Sequence, residues 1–181
     1  MKYSIIIPTY RRPDKLIRAI NSVLNQGYQD FEIICVNDSP DFDYSTFDDF
    51  FVNLKQKDNI KYILNEKNMG VNFSRNLALS KVSDDSDYIV FLDDDDWFNE
   101  NALLDVDKYL SENRGVKWLV TNRCLVGEKL TKNIKNKNRL SYIFDYLIFK
   151  KIKGDATHVI KADIAKKIKF SEKIKNGEEW F

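Results

Sequence analysis

Four short apolar runs, Tyr3–Ile7, Phe31–Val36, Ile60–Leu64 and Tyr88–Leu92, constrain the fold of this chain more than any other feature. Three of them are nearly continuous rather than alternating, which is the pattern of strands covered on both faces. Helical patterns lie between them. Leu16, Ile17, Ile20, Val23 and Leu24 form one stripe over Asp14–Asn25, with Asp14 as N-cap and Gly27 where a C-cap belongs. Thr46–Lys57, Asn72–Lys81 and Glu100–Asn113 are the next helices. Strands separated by helices in this order imply βαβ units and a mostly parallel sheet, an α/β fold. Beyond residue 114, Val116–Val126 and Thr157–Ile160 read as strands, and Ser141–Phe149 and Ala162–Lys167 as helices.

Composition removes several alternatives. At 181 residues the chain fits one domain, and 43% apolar residues suffice for a core. Six glycines are too few for a glycine-rich phosphate cradle. Cys35 and Cys124 have no disulfide or zinc spacing; both sit in apolar runs and read as small buried residues. No apolar stretch reaches the roughly 18 residues of a membrane span, and the N-terminus enters a strand directly. The expected setting is cytoplasmic, where the Asn-x-Ser patterns at Asn37 and Asn72 carry no glycan. The net charge of +1 hides an asymmetry: residues 1–110 hold 12 basic and 20 acidic side chains, residues 111–181 hold 17 and 8. Nothing in the chain asks for nucleic acid as a partner.

In a doubly wound sheet, ligands bind beyond the carboxyl ends of the strands. Past the first strand stand Pro8-Thr9-Tyr10-Arg11-Arg12-Pro13, past the second Asn37-Asp38-Ser39-Pro40, and past the fourth Asp93-Asp94-Asp95-Asp96-Trp97. A parallel sheet brings all three to one crevice. Four consecutive aspartates are costly, since each like pair at 4 Å repels by about 4 kcal/mol at an effective dielectric near 20. A divalent cation would offset this. Oxygen-only ligands favour Mg²⁺ or Mn²⁺ over zinc. A solvated acidic turn is the alternative. Asp38 either caps a turn or accepts a ligand hydrogen bond. Arg75 and Asn76, near a helix start behind Asn68-Met69-Gly70, either face a phosphate or lie in solvent.

These segments together resemble the family 2 glycosyltransferases of the GT-A fold. Ile5–Pro13 is similar to that family's opening strand and loop, and Glu32–Ser39 to its second-strand motif. Asn68-Met69-Gly70 with Ser74-Arg75-Asn76 resembles its Asn-x-Gly…Ala-Arg-Asn helix, and Tyr88–Trp97 its DXD segment. The resemblance covers about residues 3–110 in the family's order. It implies a Rossmann-like, mostly parallel sheet flanked by helices, with a nucleotide-sugar and metal-binding half (1–110) and an acceptor-side half (111–181). It further implies a nucleotide-sugar site formed by Pro8, Thr9, Tyr10, Arg12, Asp38, Asn68, Arg75, Asp93 and Asp94. Within that site Asp38 would meet the base and Asp93 the ribose or metal. Asp95, with Asp93, would hold Mn²⁺ or Mg²⁺, and the role of Asp94 stays open. Asn37 stands where the family has Asp, and Ser39-Pro40 where it has Gly-Ser, which reshapes the loop over the base.

Gly177-Glu178-Glu179-Trp180 resembles the family's Glu-Asp motif, so Glu179, with Glu178 as the second choice, would be the general base. Asp155 and His158 are weaker acceptor-side candidates; His158 reads first as an ordinary strand residue and second as an acceptor-side or metal contact. The basic stretches Lys129–Arg139 and Lys150–Lys153 suit anionic lipid at the inner face of a membrane, a phosphate-linked acceptor, or plain solvation. The expected activity is inverting, metal-assisted transfer of a sugar from a nucleotide-diphospho-sugar, a UDP-sugar by preference, to a saccharide or lipid-linked hydroxyl acceptor. The rivals are a nucleotide-sugar-binding module without transfer and a sugar-1-phosphate nucleotidyltransferase. The glycine-free first loop speaks against the latter. The motif at residues 177–181 breaks off abruptly, so the chain reads as part of a longer protein.

Overall fold

A computed structural model describes residues 1–121 and 157–173. Its elements are β1 (Tyr3–Thr9), α1 (Pro13–Leu24), β2 (Phe31–Asn37), α2 (Ser45–Val52), a 3₁₀ turn (Lys57–Asn59), β3 (Ile60–Leu64), α3 (Val71–Leu79), β4 (Tyr88–Phe91), α4 (Ala102–Glu112), β5 (Trp118–Thr121), β6 (Thr157–Lys161) and α5 (Ala162–Ala165). The expected helix over Ser141–Phe149, residues 122–126 of the expected strand, Cys124 and both basic stretches lie outside the described residues.

Six strands form one sheet in the order β3-β2-β1-β4-β6-β5. β1, β2, β3 and β4 are parallel, and β6 runs antiparallel to both β4 and β5. Every residue of β1 and β2 is buried, as the continuous apolar runs require. Alternate side chains feed two cores. Tyr3, Ile5 and Ile7 join Ile33 and Cys35 under α1, α2 and α4, while Ile6, Ile34 and Ile89 pack under α3 and α5. Each fully buried aliphatic side chain contributes about 1.5–3 kcal/mol to this layering.

The helix ends differ from the sequence expectation. α1 starts at Pro13 with Arg12 as N-cap, so Asp14 is a first-turn acid and not the cap. Proline suits that first position because its missing N–H would be unsatisfied there anyway. Asn25, not Gly27, closes the helix. α2 is shorter than expected, ending at Val52 before the 3₁₀ turn. Cys35 is buried, as expected, and burial raises its thiol pKa.

At the amino end of the sheet a polar cluster is closed off. Glu32 accepts from Ser4 Oγ (2.6 Å), Ser83 N (2.8 Å), Ser83 Oγ (2.7 Å) and Lys61 Nζ (2.7 Å). Burial alone would raise its pKa, but these donors outweigh burial and hold the carboxyl at about 2. This end is structural; the other end is open.

Candidate active site

The strand order reverses between β1, which is followed by β2, and β4, which returns on its other side. A crevice must open there at the carboxyl ends. β1 pairs with β2 through Thr9 but with β4 only through Ile6. Leu92 N–H donates to Ile6 O (3.0 Å), so the next β1 donor toward β4 would be that of residue 8. Residue 8 is Pro8, which has no N–H, and the ladder stops. Elsewhere the ladder runs on past the strands: Asp38 N–H donates to Thr9 O and Asn65 N–H to Asn37 O, both at 2.9 Å. The first residues of these loops are therefore held as firmly as the strands.

The acidic loop turns at once, with Asp96 N–H donating to Asp93 O (3.0 Å). The side chains of Asp93, Asp94 and Asp95 take different partners. Asp94 is buried and accepts from Thr9 Oγ1 (2.8 Å) and Arg12 Nη1 (3.2 Å). Burial raises its pKa in spite of those two donors, and its charge in turn raises that of Arg12. Asp95 is about half exposed and bonds Arg12 Nη1 (3.0 Å), with Lys15 Nζ at 3.7 Å from the same oxygen. Arg18 donates to the Asp95 carbonyl (2.6 Å) and lies 4.1 Å over the Trp97 ring. Arg12, Lys15 and Arg18 thus form one basic row at the start of α1, facing the loop. Asp93 has a different partner and pairs with Arg75 Nη2 at 2.9 Å. Arg75 is buried, and its Nε has no partner among the described residues.

Asp38 is buried and accepts from Asn65 Nδ2 (2.8 Å), Met69 N (2.7 Å) and Gly70 N (2.7 Å). It organises the loop ahead of α3, whose N-cap is Gly70 at φ +90°, a conformation that excludes most side chains. Asn68 is exposed and accepts the same Gly70 N–H (3.1 Å). The two departures from the family pattern fit each other. Asn37 donates to Tyr62 OH (2.8 Å) and accepts from Ser39 N and Oγ (2.9 and 2.7 Å). Ser39 Oγ accepts from Arg11 N (3.0 Å), which stabilises Arg11 at φ +55°.

The structure therefore joins Thr9, Arg12, Asp94 and Asp95 directly, pairs Arg75 with Asp93, and sets Asp38 on the loop after β2, all at the carboxyl edge of the sheet. Their exposures divide them. Pro8 and Thr9 are buried, and the exposed group at this end of β1 is Tyr10. Asp94 holds the loop from inside. Asn65, which joins Asp38 to Ser74 Oγ (3.2 Å), was missed, although it directly follows β3. Lys15 and Arg18 were also missed, because their side of α1 reads as ordinary solvated charge.

Among the described residues no three acid, His or Cys side chains converge on one point. Asp93 and Asp95 offer two half-exposed carboxylates. That donor set fits Mg²⁺ or Mn²⁺ shared with a bound diphosphate, because such ions use one or two carboxylates plus phosphate oxygens. It does not fit a cage made by protein alone. Glu178, Glu179 and Asp155 lie outside the described residues. His158 stands on β6 one step beyond the Val90–Val159 pair, toward the crevice end of β4. Its Nδ1 accepts from Trp118 Nε1 (2.9 Å), and burial lowers its pKa to about 4.

Comparison with known proteins bears on the fold and the family. A lipid-linked-oligosaccharide β-1,3-glucosyltransferase of Campylobacter jejuni (GalNAc(5)-diNAcBac-PP-undecaprenol as acceptor) is 32% identical over 185 residues, covering 98% of this chain and 57% of that protein. Staphylococcus aureus TarS, solved with UDP-GlcNAc, shares the fold at a TM-score of 0.78 and 24% identity, over 99% of this chain and 51% of its own. A Pyrobaculum calidifontis mannosyltransferase solved with GDP-Man and Mn²⁺ shares it at a TM-score of 0.68 and 12% identity, over 95% and 48%. The chain thus spans about half the length of these relatives. The model of the glycosyl transferase family 2 matches residues 4–167, and the chain belongs to that family.

Proposed function

We propose that this domain binds a UDP-sugar in the β1/β4 crevice and transfers the sugar, with inversion, to a saccharide or lipid-linked hydroxyl. The observation that carries this reading is the division of the acidic loop: Asp94 is buried on Thr9 and Arg12, while Asp93 and Asp95 stay half exposed beside Arg75, Arg12 and Lys15. Two carboxylates ringed by cations suit a site that receives both a metal ion and a diphosphate. UDP is preferred because TarS, solved with UDP-GlcNAc, matches this fold at a TM-score of 0.78, against 0.68 for the mannosyltransferase solved with GDP-Man.

The chain's own groups then have distinct tasks. Tyr10, exposed at the end of β1, offers a ring to the nucleotide. Asp38 reaches the base from the loop it organises, directly or through Met69 and Gly70. Arg75, whose Nε has no partner among the described residues, and the N–H groups of the first turn of α3 favour the phosphates. Asp93 and Asp95 would hold a divalent ion, which would supply positive charge for the departing diphosphate. Glu179, or Glu178, takes the proton of the acceptor hydroxyl as its oxygen bonds the anomeric carbon and the bond to the diphosphate breaks. Positioning and electrostatics carry such a reaction, without a covalent nucleophile.

Calorimetric titration with UDP, GDP, CDP and ADP, with and without Mn²⁺, tests the donor site. UDP binding that requires Mn²⁺ and falls at least tenfold in Asp95→Ala is expected. A folded protein that binds none of the four overturns the assignment.

A further inference from the structure

One face of α3 does something the donor site does not require. Asn76 Nδ2 donates to Phe170 O (3.0 Å) and to Glu172 Oε1 (2.9 Å), and its Oδ1 accepts from Phe170 N (2.9 Å). The side-chain amide thus pairs with the Phe170 peptide in both directions, as a neighbouring strand would. Four residues earlier, on the same helix face, Asn72 Nδ2 donates to Ser171 O (2.8 Å). The Phe170 ring meets the Phe91 ring edge-on at 5.3 Å and lies 5.5 Å from the Arg75 guanidinium. Residues nearly a hundred positions apart are therefore joined by two asparagines between the donor crevice and the acceptor-side half.

We propose that Asn72 and Asn76 are positioning residues that lock the 170–172 segment onto α3 and so set where the acid-bearing chain behind it meets the crevice. This rests on the reading of Glu178 or Glu179 as the base. Glu172 precedes Glu178 by six residues, which span about 20 Å at full extension. Fastened at Glu172, the acid has a short tether whose origin is bonded to Asn76, the residue after Arg75. Without the clamp, the nearest preceding anchor is the Phe170 ring, which packs edge-on against Phe91. The tether then gains two residues, and the main chain of 170–172 is no longer fixed against α3. A displacement of about 1 Å can lower a rate by about 10²-fold.

The test uses the full-length protein as wild type, Asn76→Ala and Asn72→Ala. Amide hydrogen exchange at Phe170 reads the clamp with no ligand present. Calorimetry with UDP and Mn²⁺ reads the donor site, and turnover of UDP-GlcNAc, UDP-Glc and UDP-Gal reads the reaction. Exchange at Phe170 at least tenfold faster in Asn76→Ala is expected, with UDP affinity within threefold of wild type. kcat should drop at least tenfold in both variants with donor KM unchanged. Unchanged exchange overturns the clamp. Faster exchange with kcat within twofold of wild type overturns the positioning role, as does UDP affinity that falls in step with kcat. A wild type that binds no UDP refutes the donor reading instead, and the exchange result still decides the clamp.

Discussion

Asp38 makes three hydrogen bonds, two of them to main-chain N–H groups of the loop before α3. Bonds to a charged acceptor are each worth about 1.5–3 kcal/mol. Asp38→Asn turns an NH₂ toward one of these donors, so it should lower stability by about 2–3 kcal/mol in chemical denaturation. The same change should weaken nucleotide binding by releasing Met69 and Gly70. Glu32 makes a second prediction at this scale. Its carboxyl is held at about 2 against an ordinary value of 4.5, so its stabilisation is complete above the ordinary value and is lost as pH falls toward 2. Glu32→Gln should therefore cost about 2–3 kcal/mol at pH 7 and flatten the decline of stability between pH 4.5 and 2. Denaturation curves at a series of pH values check both points. His158 acts in the same direction over a different window. Its depressed value means protonation of the unfolded chain lowers stability as pH falls from 6.5 toward 4.

At the scale of elements, the entry to α3 is made by backbone rather than side chain. Gly70 at φ +90° caps the helix with no side-chain bond, and a Cβ there would meet no atom within 4 Å. Gly70→Ala should thus cost only the conformational strain, about 1–2 kcal/mol, measurable as a lower thermal midpoint. The same feature explains what the sequence revealed and what it hid. The strands were legible because Tyr3–Ile7 and Phe31–Val36 are apolar on both faces, and the parallel order followed from the helices between them. Helix ends were misplaced, by five residues at the end of α2 and by one or two elsewhere, because none of the described α-helices has a side-chain cap, so residues such as Asp14 gave a false signal. The crevice was legible as three loops past three strands. The inward turn of Asp94 was not, because all four aspartates look alike until Thr9 and Arg12 are brought up from 82 to 85 positions away. The clamp of Asn72 and Asn76 on residues 170–172 was unreadable for the same reason.

For the whole molecule, the decisive element is β6, which arrives late and antiparallel yet covers β4. Val159 joins the core under α1, and Ile160 packs with the core under α3. A chain cut after residue 113 would keep every described donor-side residue but leave β4 as an apolar open edge. Such edges pair with other chains. The shortened protein should elute as oligomers in size-exclusion chromatography, while the uncut chain gives a smaller, discrete species. If the cut protein stays monomeric, β6 is not needed to protect the sheet.

The late arrival of β6 also sets a schedule during synthesis. β4 ends at Phe91 and β6 begins at Thr157, so some 66 residues must be made before the cover exists. At about 5–20 residues per second, the ribosome-bound chain carries an uncovered β4 for about 3–13 s. That is far longer than the microseconds to milliseconds in which small elements form. Polysomes, where several nascent copies lie close together, are the place where this edge is most exposed to a second copy of itself.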